Sequence, residues 1–199
     1  MTMYNVPRDG KLMARGTDTL TADELFRMPD DGFHRYELVE GRLLVMTPAG
    51  GLHGAVGVRV TVAISAHVDQ HHLGVVVGAD TGFILATDPD TVRAPDVAFV
   101  SWDRVPADGI PKAFWRCAPD LAVEVLSPTD VRREVDEKIH DYLLHGVKEV
   151  WFVEPSARRV TVHRPGQPPQ VLNETETLNG GDVLPGFRYP LSRLFVFDL

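Results

Sequence analysis

Between positions 52 and 72, apolar residues recur at every fourth place: Leu52, Val56, Val60, Ile64 and Val68. That spacing predicts a long helix packed along one face, ended by Gly74. A second stripe, Val131, Val135, Ile139, Tyr142 and Leu143, predicts a helix over about 131–145, capped by Thr129 or Asp130 and stopped by Gly146. Thr21-Ala22-Asp23-Glu24 has the spacing of a capping box, so a short helix should run to about Met28, before Pro29. Strand patterns fall at 34–39 and 42–46, joined by the two-residue turn Glu40-Gly41, and again at about 75–78, 82–86, 96–101, 121–126, 149–153 and 159–163. The segment 170–199 reads as edge strands and a final turn of helix. Residues 1–17, polar with Pro7, Gly10 and Gly16, read as a flexible N-terminal arm ahead of one domain over 18–199.

This order is that of a mixed α/β layer fold. LAVEVL, then a helix, then EVWFV form the pattern of a right-handed βαβ unit, with a parallel pair at the centre of the sheet.

Composition narrows the class. With 199 residues, 44% hydrophobic and 24% charged, the chain suits one globular domain. The single Cys117 excludes an intramolecular disulfide and a zinc site built on several cysteines. No apolar run approaches the roughly 20 residues that cross a bilayer, and the N-terminus has no stretch of signal-peptide length, so a cytoplasmic protein without membrane contact is expected. The net charge of −8 argues against a broad basic footprint, so any nucleic-acid contact must be local, for example through Arg132 and Arg133. The strand RVTVHR and the terminal FVFDL offer edge and apolar surface, from which a homodimer is expected.

One polar residue interrupts the pattern. Glu124 stands inside LAVEVL, and a buried carboxylate must be paired, hydrogen-bonded or neutralised. Asp120, four residues back on the same face, would lie roughly 13 Å away, too far to share an ion with it. A neighbouring strand is only about 4.8 Å away, which makes Asp96, at the start of another apolar strand after Pro95, the better partner. Two such carboxylates repel unless a cation joins them. Lys138 falls on the flank of the 131–145 stripe, beside Val135 and Tyr142, from where it can lean over the sheet, whereas Glu137 and Asp141 point outward. Plainer alternatives stay open: a structural ion pair for Glu124, a turn-shaping role for Asp96, and a solvated Lys138 paired with Glu134 at i,i+4. His67, His71 and His72 crowd the end of the first long helix, where cations are favoured, and read as structural or solvated.

The phrases RYELVEGRLLVMTP, HGAVGVRV, VRAPDVAFVSWDRVP, PDLAVEVLSPTD and EKIHDYLLHGVKEVWFVEP, in that order, resemble the Uma2 family of bacterial endonucleases, within the PD-(D/E)xK nuclease superfamily. The resemblance covers about residues 20–199. It implies a restriction-endonuclease-like mixed sheet flanked by helices, with an added N-terminal hairpin and C-terminal strands. It also implies a Mg²⁺ site, with Mn²⁺ as a substitute, held by Asp96, Glu124 and the carbonyl of Val125. The superfamily places its lysine two residues after the glutamate, where this chain has Leu126, so the resemblance assigns that part to Lys138 on the following helix. It adds Glu37 in the first hairpin and His53 at the opening of the first long helix. The implied activity is metal-dependent phosphodiester hydrolysis, with DNA as the substrate. The alternatives are a catalytically silent nuclease fold that binds or dimerises, and hydrolysis of another phosphoester.

Overall fold

Strands too apolar to face water on either side need cover on both, and two amphipathic helices supply it here. The computed structural model describes residues 12–13, 19–29, 32, 34–127 and 130–197. In chain order its elements are β1 (Leu12–Met13), α1 (Ala22–Arg27), β2 (Arg35–Val39), β3 (Arg42–Met46), α2 (Gly51–His71), β4 (Gly74–Gly78), β5 (Phe83–Ala86), β6 (Thr91–Arg93), β7 (Val97–Ser101) and a 3₁₀ turn at Trp102–Arg104. They continue with β8 (Leu121–Val125), α3 (Arg132–Leu144), β9 (Glu149–Glu154), β10 (Arg159–His163), β11 (Gln170–Asn173), β12 (Thr177–Asn179), β13 (Arg188–Pro190) and α4 (Ser192–Phe195). The arm expected over 1–17 lies outside the described residues, apart from the backbone of β1, which pairs with β3.

The larger sheet runs β11-β10-β9-β8-β7-β4. β8 and β9 are parallel, as the βαβ pattern predicts, and the other neighbours are antiparallel. Val56, Val60, Ile64 and Val68 of α2 pack on one face, against Val97, Phe99, Val123 and Val125. Each of these helix side chains, removed from water, contributes about 1.5–3 kcal/mol before the cost of ordering the chain. The opposite face carries Ala122, Val150 and Phe152, covered by Val135, Ile139 and Tyr142 of α3. Alternation along β8 therefore turns Val123 and Val125 toward α2, and Ala122 and Glu124 toward α3. A second sheet, β1-β3-β2-β6-β5, encloses its own core of Leu25, Leu38, Leu43, Val45 and Val92. Its β2–β3 hairpin closes through Glu40 and Gly41, both with positive φ (49° and 74°), as a two-residue type I′ turn requires.

Several local expectations change. α2 ends at His72, which adopts the left-handed conformation, and Gly74 instead opens β4, where any Cβ would collide with the Val100 carbonyl. Val131 stands at the N-cap of α3 and supplies no side-chain cap; Asp130 accepts the Ser127 N–H instead, and Thr129 lies outside the described residues. Gly146 does end α3, with Val147 N–H returning to Tyr142 and Gly146 N–H to Leu143, a Schellman close. The strand RVTVHR is not an edge, because β11 covers β10. β6 had no signal: three residues are too few to show an alternation. Within the described residues no helix is long and apolar enough to cross a membrane. His67 bonds the Pro185 carbonyl and His71 bonds the His67 carbonyl, contacts that suit the structural reading.

Candidate active site

The register of β7 and β8 sets the geometry. Val97 faces Val123 and Ala98 faces Ala122, so one step further Asp96 stands opposite Glu124. Asp96 Oδ2 accepts the backbone N–H of Val125 at 2.9 Å, tying its carboxylate to the edge of β8. His53 Nε2 lies 3.1 Å from the same oxygen, and Arg35 lies 3.2 Å from Oδ1. These bonds hold Asp96 to β8, α2 and β2, so it does more than shape the turn after Pro95.

Glu124 points beneath α3. There Tyr142 donates its hydroxyl to Glu124 Oε1 at 2.6 Å, and Lys138 Nζ lies 2.9 Å from that oxygen. The same ammonium is 3.1 Å from Glu37 Oε1. Its side chain is only 16% exposed, which removes the solvated alternative for Lys138. Glu37 also accepts the Ala94 N–H at 2.9 Å and the Arg93 guanidinium at 2.8 Å. Arg93 in turn binds Asp141. Asp141, expected to face outward, turns to β6 because that strand runs beside the flank of α3. The fold thus brings the five residues together as two groups, Asp96 with His53 and Glu37 with Lys138 and Glu124, joined through the backbone of Val125 and Ala94 into one network. Asp120 stays apart, paired with Lys148 and Arg104.

The charges are unevenly balanced. Burial works to raise Glu37, but the Lys138 ammonium and the Arg93 guanidinium outweigh it and hold the carboxyl at about 2. Burial likewise opposes ionisation of Asp96, and the His53 and Val125 contacts bring it down to about 2. Glu124 differs: burial pushes it up to about 7, with Lys138 pulling against burial and the Asp96 and Glu37 charges adding to it. The hydrogen bond to Asp96 raises His53, and burial acts against that rise.

These groups open on a pocket of about 200 Å³ lined by Arg35, His53, Asp96, Glu124, Val125 and Lys138, among others. Among the described residues, no group of three or more His, Cys, Asp and Glu side chains is arranged to hold an ion by itself. Mg²⁺ does not need such a cage, since it keeps several waters and binds through one or two carboxylates. Asp96 and Glu124 both line the pocket with carboxylate oxygens, the hard donors such an ion takes, so the residues present fit it.

Sequence reasoning missed Arg35 and Arg93, and took Tyr142 only as part of the α3 stripe. Tyr142 did carry a signal, because a buried phenol needs a hydrogen-bond partner. Nothing local marked the two arginines.

The sequence model of the Uma2 family, described as "Putative restriction endonuclease", matches residues 22–192. No curated protein matches the chain. Among solved structures, the crystal structure of a "putative nuclease belonging to DUF820" from Anabaena variabilis is similar, with a TM-score of 0.78 and 23% identity over 88% of this chain and 97% of that one. At this identity the likeness shows the fold, which is restriction-endonuclease-like. The family match runs from the first residue of α1 to the first of α4 and takes in every residue of the network described above: the chain belongs to the Uma2 family.

Proposed function

We propose that the protein is a divalent-metal-dependent phosphodiesterase that cuts DNA. The observation that carries this reading is that Asp96 and Glu124 line one pocket, with Lys138 seated on Glu124 at its wall. Asp96, Glu124 and the Val125 carbonyl would hold Mg²⁺ or Mn²⁺; the carbonyl leaves the same strand edge as the N–H that Asp96 accepts. When bound, the ion polarises a phosphate oxygen and lowers the pKa of an attacking water.

The chain's own groups do the rest. Lys138, fixed between Glu37 and Glu124, is placed to stabilise negative charge as it builds on the phosphate. Glu37 positions Lys138 and is itself held by Arg93 and the Ala94 N–H, so it acts through the lysine rather than on the substrate. His53 orients Asp96, and Tyr142 fixes the rotamer of Glu124. With a net charge of −8, phosphate contacts outside the pocket are few, and exposed Arg132 and Arg133 at the start of α3 supply them.

The test is incubation of a supercoiled plasmid with the protein and Mn²⁺ or Mg²⁺, alongside the Asp96→Asn variant. Cleavage by the parent that requires the ion and disappears in the variant supports the reading; cleavage that survives in the chelator or in the variant sinks it.

A further inference from the structure

Arg35 differs from the other buried cations of the site. Arg93 is nearly sealed, its side chain 6% exposed, and is committed to Glu37 and Asp141. Arg35 is 25% exposed, lines the pocket, donates hydrogen bonds to two acceptors and sets its Nε, which makes no hydrogen bond, beside a third group as an ion pair. It lies 3.2 Å from Asp96 Oδ1, 3.4 Å from the Ala94 carbonyl and, through Nε, 2.9 Å from Asp80 Oδ1. Asp80 belongs to the turn between β4 and β5 and is 72% exposed. The guanidinium therefore bridges an inner carboxylate and an outer one.

The division of labour at Asp96 gives this bridge a consequence. Oδ2 is engaged by His53 and by the Val125 N–H, while Arg35 meets Oδ1. A cation arriving at Asp96 from the pocket competes with Arg35 for Oδ1. A guanidinium released there keeps Asp80 as its second seat and remains at the pocket, and its planar fork matches two phosphate oxygens.

We infer that Arg35 is an internal counter-ion that a divalent cation displaces from Asp96, and that the released guanidinium, retained by Asp80, binds the substrate phosphate. This rests on the metal-dependent reading of the pocket. It gives the site a built-in exchange: the ion and the phosphate enter as a pair, because the first frees the receptor for the second.

The experiment is a calorimetric titration of Mn²⁺ into the parent, Arg35→Gln, Asp80→Asn and the double variant. Arg35→Gln is expected to bind Mn²⁺ about three- to tenfold more tightly, on the order of one partly exposed ion pair. Asp80→Asn binds it more weakly, because the guanidinium then stays on Asp96. The double variant matches Arg35→Gln, since Asp80 acts through Arg35. With Mn²⁺ saturating, inorganic phosphate binds Arg35→Gln about tenfold more weakly than the parent, a charge-assisted contact being lost. A purely structural Arg35 predicts lower stability with unchanged or weaker Mn²⁺ binding, and that outcome, or undiminished phosphate binding, overturns the inference. Asp80 is a surface residue, so Asp80→Asn keeps the comparison decisive if Arg35→Gln does not fold. A parent that binds no Mn²⁺ overturns the metal reading and the inference together; a parent that binds it without these shifts overturns the inference alone.

Discussion

Lys138 and Glu124 are joined at 2.9 Å inside the protein, yet the lysine is shared, standing 3.1 Å from Glu37 as well. One ammonium serves two buried carboxylates. Glu37 has a second cation in Arg93 and stays ionised, whereas Glu124 has none and is pushed up to about 7.

That asymmetry orders two substitutions. Glu124→Gln keeps an acceptor for Tyr142 and removes a charge that burial opposes, so the unfolding free energy of the metal-free protein at neutral pH should stay within about 1 kcal/mol of the parent's. Glu37→Gln strips a partner from both Arg93 and Lys138 and should cost about 3–5 kcal/mol, as broken buried pairs do. Thermal denaturation of the two variants side by side checks the order. Mn²⁺ binding should vanish in Glu124→Gln. A steep loss of stability there, with metal affinity intact, would make Glu124 a structural residue.

Lys138→Met separates binding from chemistry. The variant removes a cation that competes for Glu124, so Mn²⁺ affinity should hold or rise, while plasmid cleavage slows by about 10²–10³, the usual loss when one donor to a developing oxyanion is removed. Calorimetry and a cleavage time course on the same preparation report the two quantities. Unimpaired cleavage would take Lys138 out of the mechanism.

The raised Glu124 gives a pH dependence with a definite sign. An ion binds its carboxylate only after the proton leaves, so Mn²⁺ affinity should climb as pH rises toward about 7 and level off above it. Stability runs the other way. Between the ordinary carboxylate value of 4.5 and about 7, the folded state holds a proton that the unfolded chain has lost, so this group's contribution to stability falls as pH rises through that window. Chemical denaturation from pH 4.5 to 6.5, below the range in which the raised His53 adds a decline of its own, should show the fall in the parent and not in Glu124→Gln.

Val58 and Val62 are 64% and 61% exposed on the outer face of α2; Leu52, expected in the packed stripe, is 50% exposed because it stands in the first turn of the helix, ahead of the buried run from Val56; and Val171 is 57% exposed on β11, an edge of the larger sheet. Apolar surface of this kind is expected to be covered by a second copy. Light scattering at micromolar concentration should give twice the chain mass of 22.0 kDa, and Val58→Glu with Val62→Glu should return it to one. A parent that scatters as a single chain refutes the dimer.

Periodicity alone carried the helices and the buried strand, because burial on one face leaves a mark every few residues whatever the rest of the chain does. Val56, Val60, Ile64 and Val68 announced α2, and Thr21 with Glu24 announced α1 through a capping box that the structure contains. Glu124 stood out for the same reason, as a charge where the pattern demanded none, and Lys138 because it sat on the flank of a stripe. What tertiary structure decided is what no local pattern encodes: the register that sets Asp96 opposite Glu124, and the addition of β6, which carries Arg93 to Glu37 and turns Asp141 inward. Arg35 is the clearest case. Its sequence neighbourhood is that of any strand arginine, and only the approach of β7 and of the β4–β5 turn places Asp96 and Asp80 on either side of its guanidinium. Charge pairing between distant segments depends on where the backbone brings them, so the sequence names the charges and the fold chooses their partners.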